Sequence, residues 1–160
     1  MIESIFGKEK DNFFMKEALK QAQLAYAINE VPIGAIIVNA QGTIIARAHN
    51  SVERDHSQRS HAESLAIEQA SKTLGDWRLN NHWLYVTLEP CTMCMGLIAL
   101  SRLGGVVFAA PSPLFGFRLD KQEDLWVYKR DTFPIIEGVQ KEESASLLKK
   151  FFQKKRIHSE

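Results

Sequence analysis

Two cysteines in 160 residues are too few for a disulfide-stapled secreted scaffold, and they stand three apart, at Cys91 and Cys94. No apolar run reaches the roughly 18 residues that a membrane-spanning helix requires. The amino-terminal stretch through Lys20 is charged throughout and has neither the apolar region nor the small-residue cleavage site of a secretory signal. An excess of charge is missing too. With 20 Lys and Arg against 19 Asp and Glu, the net charge is +1, so any contact with nucleic acid must come from a local patch. No internal repeat, linker or low-complexity tract divides the chain. These absences leave a single globular domain spanning residues 1–160, with no membrane association and a reducing, cytoplasmic compartment. A chain of this length buries about two-thirds of its unfolded surface.

What is present reads as alternating helices and strands. Phe14, Leu19, Ala22, Ala25 and Tyr26 recur near helical period between about Asn12 and Asn29, with Asn12 or Asp11 as the cap. Ile33 to Val38 and Thr43 to Ala48 are β-rich runs joined by the turn-forming Asn39-Ala40-Gln41-Gly42, the pattern of a hairpin. His49 to Ser60 is polar and aperiodic, a loop. Ala62 to Leu74 is helical in period and stopped by Gly75. Trp83 to Leu88 predicts a strand, Thr92 to Leu100 an apolar helix just after Pro90, and Gly105 to Ala110 another strand. A short helix around Glu123 to Tyr128, a last strand over Pro134 to Glu137 and an amphipathic basic helix over Lys141 to Arg156 complete the series. Trp77, Trp83 and Trp126 are assigned to the core. The alternation indicates helices packed on a sheet.

The chemistry concentrates at four residues. His61, Cys91 and Cys94 offer one imidazole and two thiolates, a donor set suited to zinc. Three protein ligands leave the fourth tetrahedral position to water, as in catalytic rather than structural zinc sites. Glu63, two residues past His61 and in the first turn of the same helix, reaches such a water as a proton carrier without ligating the metal. Cys91 and Cys94 open another helix, where the i, i+3 spacing turns both sulfurs to one side and the helix dipole favours thiolate. His49, His56, His82 and His158 have no partner at ligand spacing and stay outside the site.

His61-Ala62-Glu63, followed after a strand by Pro90-Cys91-Thr92-Met93-Cys94, resembles the signature of the zinc-dependent cytidine and deoxycytidylate deaminase superfamily. Glu30-Val31-Pro32-Ile33-Gly34-Ala35, Leu84 to Cys91 and Ser101-Arg102-Leu103-Gly104 are similar to the bacterial tRNA-specific adenosine deaminases. That resemblance implies a three-layer αβα fold of the cytidine-deaminase type on a central mixed five-stranded sheet, and a homodimer with one zinc ion per subunit. It also implies hydrolytic deamination of adenosine to inosine at the wobble position of a tRNA anticodon stem-loop. Asn50 matches the family asparagine that hydrogen-bonds the flipped base, and Val31 and Ala62 match pocket-lining positions.

The basic patch that RNA needs is expected on the final helix, at Lys149, Lys150, Lys154, Lys155 and Arg156 beside Phe151 and Phe152. Two departures from the family pattern stand out. The residues before His61 are Ser57-Gln58-Arg59-Ser60 where the family usually has Asp-Pro-Thr-Ala, and Pro111-Ser112 with Leu114-Phe115-Gly116 stands where the family usually has an Arg-Asp pair and a Lys-x-Gly stretch. Arg59 and Arg118 are the candidates to restore positive charge. Three other readings stay open on the residues alone: a deaminase of a free guanine or cytosine base or nucleoside, a non-catalytic zinc RNA-binding module, and a Cys-x-x-Cys thiol oxidoreductase.

Overall fold

The three central strands are apolar on both faces, and the pleat sorts their side chains into two separate cores. In the computed structural model, which describes residues 3–119 and 133–159, Ala35, Ile37, Leu84, Val86, Val106 and Phe108 face one core. The alternating residues Ile36, Val38, Tyr85, Val107 and Ala109 face the other. The chain runs α1 (Lys8–Ala27), β1 (Gly34–Val38), β2 (Ile44–His49), α2 (Val52–Asp55), α3 (Ala62–Leu74), β3 (Trp83–Leu88), α4 (Thr92–Leu100), β4 (Gly105–Ala110), a 3-10 turn at Phe117–Leu119, β5 (Ile135–Glu137) and α5 (Lys141–His158). The strands lie in the order β2-β1-β3-β4-β5. β1 is antiparallel to both neighbours, whereas β3, β4 and β5 run parallel. This is the mixed five-stranded sheet expected. Residues of α1 line one core, those of α3 and α4 the other, and α5 lies against β3 and β4, giving three layers.

Several local choices explain the packing. Asn39 Oδ1 accepts the backbone N–H groups of Gln41 and Thr43, closing the β1–β2 turn. Gly34 is required where α1 crosses β1, because a Cβ there would stand 2.0 Å from the Ala18 carbonyl oxygen. α1 starts earlier than its periodicity suggests. Gly7, at φ 83°, precedes it, and neither Asp11 nor Asn12 caps it. Asp11 is instead buried inside the helix, accepting Ser4 N–H at 2.8 Å and Tyr85 O–H at 2.6 Å. The aperiodic stretch before His61 holds the short helix α2, which its own sequence does not announce. Trp83 is buried as assigned, but Trp77 is 52% exposed beneath the Arg78 guanidinium. Trp126 and the helix expected around Glu123 to Tyr128 lie outside the described residues.

Candidate metal centre and its flanking loops

Two helix starts meet at one point. His61 caps α3 and Cys91 caps α4, each in extended conformation. The ligand atoms of His61, Cys91 and Cys94 all lie within 4.8 Å of one another. His61 Nδ1 is 3.7 Å from Cys91 Sγ and 3.4 Å from Cys94 Sγ, so this nitrogen faces the sulfurs. Its other nitrogen, Nε2, lies 3.1 Å from Gln58 Oε1, an acceptor that selects the tautomer with the proton on Nε2. The departure Ser57-Gln58-Arg59-Ser60 therefore supplies the group that orients the imidazole. Cys91 and His61 are half-buried, and Cys94 is buried.

The electrostatics favour a shared thiolate. The Cys91 thiol is pushed down to about 4, chiefly by its hydrogen bond with Cys94 and then by that with His61, against burial. The Cys94 thiol is pushed up, by the same bond to Cys91 first and by burial second. The imidazole of His61 is raised by its bond to Cys91. Glu63 is 4% exposed, beside Cys94, and burial pushes its carboxyl up to about 7, against a hydrogen bond from its own backbone N–H. A carboxyl that titrates near neutrality can accept and return a proton.

Two further buried carboxylates shape the walls, and both act on backbone. Glu30, 1% exposed, accepts the N–H groups of Glu53 at 3.2 Å and Arg54 at 2.6 Å and so holds the start of α2. From there Ser60 Oγ donates to Asp55 and Ser51 N–H donates to the Ser60 carbonyl, tying α2 to the residue before His61. Asn50, also buried, donates its side-chain amide to the Val31 carbonyl at 3.2 Å, so the two lie together, with Val31 half-exposed. Ala62 is fully buried in the core under α3. Near Cys91, Glu89 accepts the N–H groups of Ser112 and Arg118. Gly116 pairs with Cys91 across an antiparallel bridge, and a Cβ on it would stand 2.0 Å from Glu89 Oε2. Sequence reasoning missed Glu30 and Glu89 as wall-builders, because their partners are backbone groups more than twenty residues away.

The residues expected to touch RNA divide. Phe151 is 4% exposed and packs edge-to-face on Tyr26. It anchors α5 to α1, which corrects its assignment to the surface. Phe152, Lys154, Lys155 and Arg156 are exposed. Arg59 is exposed as well, whereas the Arg118 guanidinium is paired with Glu137 and lies over the rings of Phe108 and Phe117.

Residues 8–110 match the model of the cytidine and deoxycytidylate deaminase zinc-binding region. A tRNA-specific adenosine deaminase of Bacillus subtilis is 44% identical over 151 residues, covering 92% of this chain and 91% of that protein. A solved structure from studies of A-to-I editing by tRNA:A34 deaminases at the wobble position of transfer RNA is similar with a TM-score of 0.74 and 33% identity, over 84% of this chain and 98% of that one. The guanine deaminase of Bacillus subtilis is similar over 62% of this chain and 63% of that one, with a TM-score of 0.59 and 38% identity. One imidazole and two thiols within bonding reach of a common point fit the zinc ion that this family binds. The chain therefore belongs to the cytidine and deoxycytidylate deaminase zinc-binding family, together with the tRNA-specific adenosine deaminases.

Proposed function

We propose that this protein hydrolyses adenosine to inosine at the wobble position of a tRNA anticodon, with His61, Cys91 and Cys94 holding zinc and Glu63 carrying the proton. The observation that carries this reading is the buried Glu63 carboxyl, set beside the His-Cys-Cys cluster with its proton affinity raised to about 7. The names of the relatives support the substrate: a tRNA-specific adenosine deaminase is 44% identical over 92% of this chain, whereas a guanine deaminase that shares the fold over 88% of it is 22% identical.

When bound, zinc lowers the pKa of a water it holds from 15.7 to about 7. Glu63 takes a proton from the attacking water, delivers it to the ring nitrogen next to C6, and passes a proton to the departing amine. Water adds at C6, the carbon–nitrogen bond breaks, and ammonia leaves, so no organic cofactor takes part. The amide of Asn50, its plane fixed on the Val31 carbonyl, recognises the purine edge by donating and accepting at once. Val31, half-exposed beside Asn50, borders the base. The target base has to leave its stack, at a cost of a few kcal/mol, and an anticodon loop presents it partly single-stranded. Phe152, Lys154, Lys155 and Arg156 on α5 engage the stem-loop backbone.

The single domain acts as a homodimer in the cytoplasm. α4 carries no charged residue and leaves Met93 and Leu100 about half exposed, which supports the association of two copies. The decisive experiment offers zinc-loaded protein an adenosine-bearing anticodon stem-loop and, separately, free adenosine, cytosine and guanine. Inosine in the RNA, cut at least about a hundredfold by Glu63→Gln with zinc retained, is the expected result. Turnover of a free base alone would replace the RNA substrate with a small molecule.

A further inference from the structure

The loop at residues 111–117 opposes Cys91 and is uncharged from Pro111 to Phe117. Its base is rigid. Glu89 holds the N–H groups of Ser112 and Arg118, Phe117 N–H donates to the Pro90 carbonyl at 2.9 Å, and Gly116 pairs with Cys91. Its tip is bare: Leu114 and Phe115 are each 76% exposed, the highest exposure among the large apolar residues described. Phe115 N–H bonds the Ser112 hydroxyl at 3.3 Å, so the backbone under the exposed ring is itself held. An aromatic ring is thus kept in water, one residue from the strand bridge to a metal-cluster cysteine.

We propose that Phe115, flanked by Leu114, is a stacking platform for a nucleobase adjacent to the one that enters the site. The chemistry selects a base over the sugar-phosphate backbone, because nothing at this tip carries positive charge to meet phosphate. A flipped base also leaves its neighbour with an uncovered face, and an aromatic side chain covers such a face whatever the base identity. Arg118 does not compete for the role, since its guanidinium is committed to Glu137 and to the rings of Phe108 and Phe117. The inference rests on the RNA substrate proposed above and adds where the flanking nucleotide is received.

The test measures binding as well as turnover. In a Glu63→Gln background, the dissociation constant of an anticodon stem-loop is compared between Phe115 and Phe115→Ala, with Phe115→Trp as the restoring variant. Stem-loops lacking the base 5′ or 3′ to the target adenosine complete a double-mutant cycle. Phe115→Ala is expected to weaken binding about tenfold, and Phe115→Trp to restore it. One of the two abasic positions should weaken wild-type binding by a similar factor while leaving Phe115→Ala unaffected. In the active enzyme the loss falls on KM for the RNA, with unchanged zinc content and thermal midpoint. Equal affinity of Phe115→Ala and wild type, or additive losses in the cycle, would overturn the platform. So would a change in association state, which would mark the tip as a contact between copies. If wild type deaminates only a free base, the substrate reading fails, and that outcome is distinct from RNA turnover indifferent to Phe115.

Discussion

At the residue scale, the metal centre depends on partners that are not themselves ligands. Gln58 contributes one oxygen, yet that oxygen fixes which imidazole nitrogen faces the two sulfurs. Loss of such a partner typically weakens metal binding about 10- to 100-fold. Gln58→Ala should therefore lower zinc affinity in a competition titration with a chelator, while the fold and Glu63 stay intact. Tyr85 is the second case. Its phenol is pushed above its usual range, by burial first and by the bond to Asp11 second. Its folded pKa thus exceeds the unfolded value of about 10. The protonated phenol contributes fully below pH 10, and its contribution drains away as pH rises above that value. Tyr85→Phe should cost about 1–3 kcal/mol near neutrality and lose stability less steeply than wild type above pH 10, as read by denaturant unfolding. Of these residues His61, Glu63, Cys91 and Cys94 were legible in the chain, because ligation and proton transfer demand particular side chains at particular spacings. Gln58 was visible only as a departure, since its role depends on a neighbour's ring orientation.

At the scale of elements, periodicity and stop signals carried most of the information. α3 ends where Gly75 adopts φ 69°, and α4, β3 and β4 fall where their apolar runs placed them. α2 was not readable, because a four-residue helix is too short to show a period and its first amides are held by Glu30, far away in the chain. The start of α1 was misread for a related reason: Asp11 looks like a cap but is consumed by Ser4 and Tyr85. Close approach between elements gives a sharper prediction. At Gly34 a methyl group would meet the Ala18 carbonyl oxygen and the Ala22 nitrogen, both helix backbone that cannot rotate aside. Gly34→Ala is expected to destabilise by at least about 1–3 kcal/mol, lowering the thermal midpoint by several degrees. Gly75→Ala, with nothing within 4 Å but a positive φ, is strained through its backbone alone and serves as the contrasting variant.

At the scale of the molecule, the cluster bridges two helices of the same layer. α3 packs mainly on β2 and β1, whereas α4 follows β3 and leads into β4. An ion held by His61 from one and Cys91 and Cys94 from the other clamps both halves of that layer. Because it binds the folded arrangement, chelation should lower the thermal midpoint, and the shift should grow with the zinc concentration used in the untreated control. Differential scanning calorimetry with and without chelator reads this directly. An unchanged midpoint would mean that the two helix starts hold together without the ion.

Glu89 grips the loop at residues 111–117 through main-chain amides and needs no particular side chain between Pro113 and Phe115. Those three side chains are therefore mechanically uncoupled from the metal centre: exchanging them alters what the loop presents to solvent and leaves the amides that anchor it in place.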